Sequence, residues 1–125
     1  MHLIPWPLNF CTALYPVVFV PQNFDRWPPL RRSAVLAHER VHHRQQQALG
    51  LLRFCVLYVC DVRFRWRMER RGYQREFYCL LKAGQPPDLK HYARAVSGQL
   101  YWRMIDYATA LQWFEQVWNE MERTV

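Results

Sequence analysis

None of the four cysteines, at positions 11, 55, 60 and 79, forms a CxxC pair, the spacing used by zinc ribbons and dithiol redox motifs. Their spacing gives no sign of a cysteine-built metal site. With no secretory leader, the thiols are expected to be mostly buried and reduced, although an even count leaves room for one or two bridges. The first 20 residues, MHLIPWPLNFCTALYPVVFV, lack Lys, Arg, Asp and Glu altogether. Pro5, Pro7 and Pro16 would nevertheless break a spanning helix, and neither a basic leader region nor a small-residue cleavage site accompanies them. The other apolar run, Leu49 to Tyr58, is too short for a bilayer and carries Arg53, with Asp61 just beyond. It reads as a buried helix. No membrane partner and a cytoplasmic location are expected, a phage particle being the alternative location. Internal repeats and low-complexity tracts are absent.

What is present suits a folded domain. The 125 residues are 51% apolar and 16% aromatic, enough for one domain over residues 1–125 that buries roughly two thirds of its unfolded surface. The six Trp and seven Tyr are spread at helical spacings and read as packing residues. Ala13 to Val20 is predicted as a short strand, with Pro16 confining it to an edge or a bulge. Asn23 to Leu30 reads as a proline-rich loop. Helices are predicted from Ser33, as N-cap, to Leu49, stopped by Gly50; from Asp61 to Ala83, stopped by Gly84; from Asp88 to Val96; and from Asp106 to Arg123. On the last, Ala108, Leu111, Trp113, Phe114, Val117, Trp118 and Met121 form an apolar face. The expected fold is α+β and mainly α-helical: a compact single domain with a short N-terminal edge strand or hairpin and four to five helices.

The chemistry lies in LAHERVHHRQQQ. His38, Glu39 and His42 make an HExxH, whose chance expectation in a shuffled chain of this composition is roughly 0.01. On a helix His38 and His42 stand one above the other and can offer ring nitrogens to one cation, while Glu39 sits about 100° round, beside a water on that ion. Zn²⁺ is the natural ion. His43 falls off this face and is expected at the surface. Two ligands are too few for a catalytic zinc, so a third must come from elsewhere. Glu69 and Glu76, both on the Asp61–Ala83 helix, compete for the role; about 10 Å apart along the axis, they share a face but cannot both bind one ion.

An HExxH followed by a helix carrying a glutamate with a polar partner four residues on resembles the gluzincin metallopeptidases, the minigluzincins among them. The chain also resembles small bacterial and phage HExxH proteins in which glutamines follow the motif, as Gln45 and Gln46 do here. The likeness covers roughly residues 12 to 83. It implies Glu69 as third ligand, with Tyr73 at the partner position and Gly72 as the small residue that lets the two helices approach; Glu76 is the alternative ligand. Gluzincins commonly carry an acid where Tyr73 stands. The resemblance further implies hydrolysis of a peptide or protein substrate, Glu39 serving as general base. It also implies an edge strand above the motif helix that binds extended substrate by strand addition. The oxyanion donor stays open among Tyr73, His91, Tyr101 and nearby arginines.

Two other function classes compete. The net charge is +7, and residues 61–75 hold six arginines with Trp66 and Tyr73 among them, a footprint suited to nucleic-acid phosphates. Arginine outnumbers lysine 15 to 2 and no nucleic-acid motif accompanies it, so a solvated basic face is the plainer reading. A non-catalytic zinc-containing structural or phage-assembly protein is the other alternative. An acid beside an open ligand position favours catalysis over such a role.

Overall fold

The computed structural model describes residues 1–124 and is α+β, mainly helical. The chain forms two compact units, residues 1–79 and 80–125. Among the described residues no helix is long and apolar enough to cross a membrane.

The first unit opens on a three-stranded mixed sheet. Strands β1 (His2–Trp6), β2 (Thr12–Leu14) and β3 (Val17–Pro21) lie in the order β1-β3-β2, with β1 parallel and β2 antiparallel to β3. The run Val17–Val20, three valines and a phenylalanine, takes the centre, whereas Pro5, which cannot donate to a ladder, sits in an edge strand. The single strand predicted over Ala13–Val20 is thus a hairpin, with Tyr15–Pro16, a cis peptide, in its turn. Ala13, Val18, Val20 and Phe24 form its core, with Cys11, Trp27 and Leu36 packed against them.

A 3-10 turn (Phe24–Arg26) leads into α1 (Pro29–Leu49). The helix therefore starts a turn before Ser33 and consumes the end of the predicted loop. Pro29 occupies its first position, where a missing N–H costs nothing and the fixed φ already suits a helix. Gly50, at φ 89°, ends it. The buried side of α1 is not the apolar one expected: Val35, Leu36, Val41 and Leu49 are half-buried and Ala48 is exposed, while Ala34, Ala37, His38, Glu39, His42, His43 and Gln46 are buried. A helix that buries this many polar groups must supply each with a partner.

α2 (Leu51–Cys60) follows at once, and α3 (Val62–Lys82) begins after Asp61, whose carboxylate accepts from the Arg63 and Phe64 N–H groups as an N-cap. Phe54, Phe64 and Met68 form a second core cluster. The expectation that α2 is buried fails: Phe54 alone is fully buried, and Leu51, Leu52, Val56 and Val59 face solvent. The cysteines depart from expectation only in their burial. All four are free thiols, three half-buried and Cys60 exposed.

α3 ends in a Schellman motif, Gln85 N–H bonding Leu80 C=O and Gly84 N–H bonding Leu81 C=O, with Gly84 at φ 71°. In the second unit, α4 (Leu89–Ser97) and α5 (Tyr107–Thr124) are capped by Asp88 and Asp106, as their sequences predict. Ala93, Val96, Met104, Ala110, Phe114 and Trp118 are buried here; Ala108, expected on the apolar face of α5, is exposed and Ala110 takes its place.

Candidate metal centre

α1 and α3 bring three donor atoms together. His38 Nε2 lies 3.1 Å from His42 Nε2 and 2.9 Å from Glu69 Oε1, and His42 Nε2 lies 3.1 Å from the same oxygen. His38, His42 and Glu69 form the one group of three or more potential ligands found among the described residues, and all three are buried. Gly72 permits the approach. A Cβ there would stand 2.5 Å from His38 Nε2 and 2.6 Å from its Cδ2.

Each donor is aimed by a further residue. The other ring nitrogen of His38, Nδ1, is 2.8 Å from Glu76 Oε1. On His42, Nδ1 is 2.9 Å from Gln45 Oε1, and the Gln45 amide nitrogen donates to the Met68 carbonyl at 3.2 Å. A carbonyl only accepts, so this last bond fixes the amide with its oxygen toward His42. His42 Nδ1 must then carry the proton, and Glu76 imposes the same tautomer on His38. The Tyr58 hydroxyl donates to Glu69 Oε2 at 2.7 Å.

The consequence is electrostatic. With both Nδ1 atoms donating outward, two imidazole lone pairs and a carboxylate oxygen point at one another within 3.1 Å. Such a set is unfavourable without positive charge between its members. The side chains answer by holding protons: burial alone would lower the His38 pKa, but its bonds to Glu69 and Glu76 lift it well above the ordinary histidine value. Burial likewise opposes His42, and the Glu69 charge and hydrogen bond raise it. Burial would raise Glu69, yet the His42 charge and the bonds from both histidines hold it far below the carboxylate range. A metal ion meets the same demand. The donor triangle is slightly tighter than the edge of about 3.3 Å expected for tetrahedral ligands at about 2.05 Å from an ion, and one vertex is left without a protein ligand. The residues fit a metal ion.

Glu39 is buried beside this group. Burial pushes its carboxyl up to about 7, and the charges of His38 and His42 pull the other way. Tyr73 is buried with its ring edge-on to His38, centroids 4.6 Å apart. His91 and Tyr101 belong to the second unit.

The two glutamates that the sequence sets in competition are thus used at different atoms: Glu69 joins the donor group, and Glu76 faces the opposite nitrogen of His38. Glu76, three residues after Tyr73, supplies the carboxylate that faces His38 Nδ1. His43, expected at the surface, is buried; its Nε2 donates to the Val17 carbonyl at 2.9 Å and ties α1 to the sheet. Tyr58 was missed by sequence reasoning. Its signal was a single hydroxyl in an apolar run, a group that needs a partner wherever it is buried.

Gln46 bears on the strand-addition expectation. Its amide nitrogen donates to the Ala13 carbonyl at 2.9 Å, and its oxygen accepts from the Tyr15 N–H at 2.7 Å. One side-chain amide thereby acts as a neighbouring strand along β2, so these two backbone groups are already engaged. Comparison with protein-family models, curated proteins and solved structures yields no match for this chain.

Proposed function

We propose that this protein is a zinc-dependent hydrolase of peptide bonds, with His38, His42 and Glu69 as metal ligands and Glu39 as general base. The observation that carries the reading is the convergence of three buried donors, each oriented by a residue of its own, Glu76, Gln45 and Tyr58. Orientation of this kind is what metal ligands require and what a merely polar helix face does not. Two imidazoles and one carboxylate with an open position suit Zn²⁺ and favour a catalytic over a structural role. Bound there, the ion supplies Lewis acidity, lowering the pKa of water and polarising a carbonyl.

The chain's own residues divide the remaining work. The buried Glu39 carboxylate, beside the donor group, would take a proton from water and return it to the amine nitrogen as the C–N bond breaks. Glu76 and Gln45 keep the lone pairs of His38 and His42 directed inward, and Tyr58 keeps one Glu69 oxygen occupied.

Metal analysis of the purified protein, paired with a Glu39→Gln variant on a quenched peptide library, tests the reading. Stoichiometric zinc in both proteins, with cleavage lowered by about 10²–10⁴ in the variant, is expected. Absence of zinc would sink the site; zinc without Glu39-dependent cleavage would reassign it to a structural or assembly role.

A further inference from the structure

The outer face of α2 is exposed where its sequence predicts burial. Leu52, Val56 and Val59 are 78%, 52% and 60% exposed, and at i, i+4 and i+7 they form one stripe. Leu51, and Val62 at the start of α3, are exposed as well, so five large exposed apolar side chains fall between residues 51 and 62. Exposed aliphatics on soluble proteins are ordinarily scattered singly; a contiguous set marks an interaction surface.

Charge decides what covers it. Arg53, Arg63 and Arg67 are exposed along the same stretch. The one acid there, Asp61, spends its carboxylate on the N–H groups of Arg63 and Phe64. A second copy of the chain docked symmetrically on this face would set arginines against arginines with no acid to pair them. A bilayer rich in anionic lipid offers an apolar interior to the stripe and phosphates to its arginines. Ten residues, about 15 Å of helix, are too few to span such a bilayer but enough to lie in its interface.

We propose that α2 is an interfacial anchor that lays Leu52, Val56 and Val59 into the surface of an anionic phospholipid membrane, with Arg53 and Arg63 at the headgroups. The inner side of the same helix carries Phe54, whose ring lies 6.1 Å from that of His42, and Tyr58, bonded to Glu69. Docking through the outer face therefore holds the metal centre next to the membrane. The anchor needs no metal, so binding is expected to survive a chelator.

Cosedimentation with phosphatidylcholine vesicles, with and without phosphatidylglycerol, tests it. Wild type is expected to pellet with the anionic vesicles, with and without EDTA, and to release at high salt. Leu52→Glu/Val59→Glu should bind at least tenfold more weakly, the scale for losing two aliphatic anchors, and Arg63→Gln about fivefold more weakly at low salt. Both variants change exposed side chains and should keep the wild-type circular dichroism and melting midpoint. Vesicle binding unaltered in the double variant would overturn the proposal. So would a wild type that ignores vesicles, whether it instead forms dimers that Leu52→Glu/Val59→Glu dissolves or shifts an oligonucleotide in a salt-sensitive way.

Discussion

Gly72 sets how near the two ligand-bearing helices can come. An added Cβ would meet three atoms of the His38 ring at 2.5–2.9 Å, and the ring cannot swing away freely. Its Nδ1 is held by Glu76, and Tyr73 packs against it edge-on. Alanine is the better helix former by about 1 kcal/mol, but overpacking costs about 1–3 kcal/mol, and here the displaced atoms are the metal donors themselves. Gly72→Ala is therefore expected to lower both urea-unfolding stability and zinc content; a stable, zinc-replete variant would show that His38 can shift. The two glutamates separate by the same logic. Glu69→Ala removes a donor and should abolish tight zinc binding, whereas Glu76→Ala leaves the donors in place and frees the His38 ring to reorient. A loss of about 10–100-fold in zinc affinity is expected for the latter, read by competition with a chelator. The reverse ranking would make Glu76 the ligand.

Elements differ in how much of themselves they display in sequence. The starts of α3, α4 and α5 were legible because their caps, Asp61, Asp88 and Asp106, act within three residues of their own position. Gly50 and Gly84 marked helix ends for the same reason, each adopting a positive φ. The start of α1 was hidden because Pro28 and Pro29 read as breakers, although a proline at the first helical position is compatible with a helix. What depended on a distant partner was not legible: the parallel pairing of β1 with β3, the bond from His43 to Val17, and which side of α2 would find a neighbour. The site divides along the same line. The spacing of His38 and His42 follows from one helix, and Glu69 came from a resemblance, but Tyr58 and the role of Glu76 needed the tertiary structure. Gln46 is the clearest case of a residue whose work lies on another element. Gln46→Ala would strip the partners from the Ala13 carbonyl and the Tyr15 N–H, a loss of about 1–3 kcal/mol for groups that are not fully wet. The exposed neighbour Gln47 serves as control, its alanine variant staying within about 0.5 kcal/mol of wild type in urea unfolding.

At the scale of the molecule, the charge balance hides a local reversal. The chain is +7 overall with only ten acids, yet Glu39, Glu69 and Glu76 are all buried in the first unit around two histidines. This concentration ties stability to pH. In the metal-free protein, His38 and His42 have pKa values raised above the ordinary 6.5. The stability that their protonated forms contribute is complete below about that pH and is lost as pH climbs through the raised values. Glu39, raised from 4.5 to about 7, keeps its proton longer folded than unfolded, so rising pH between those values also erodes stability. Glu69 is lowered; its contribution is present throughout the neutral range and disappears only on acidification well below pH 4.5. From pH 6 to 8 these effects all make the metal-free chain less stable or leave it unchanged. Zinc works in the opposite direction, because it competes with protons for the imidazoles and binds more tightly as they leave. Since an ion that binds only the folded state stabilises it by RT ln(1 + [L]/Kd), the rise in melting temperature on adding excess zinc should be larger at pH 8 than at pH 6. Thermal melts at both values, with and without zinc, measure it directly. A rise that is equal at the two pH values, or larger at pH 6, would mean that the ion displaces no histidine protons and does not sit on His38 and His42.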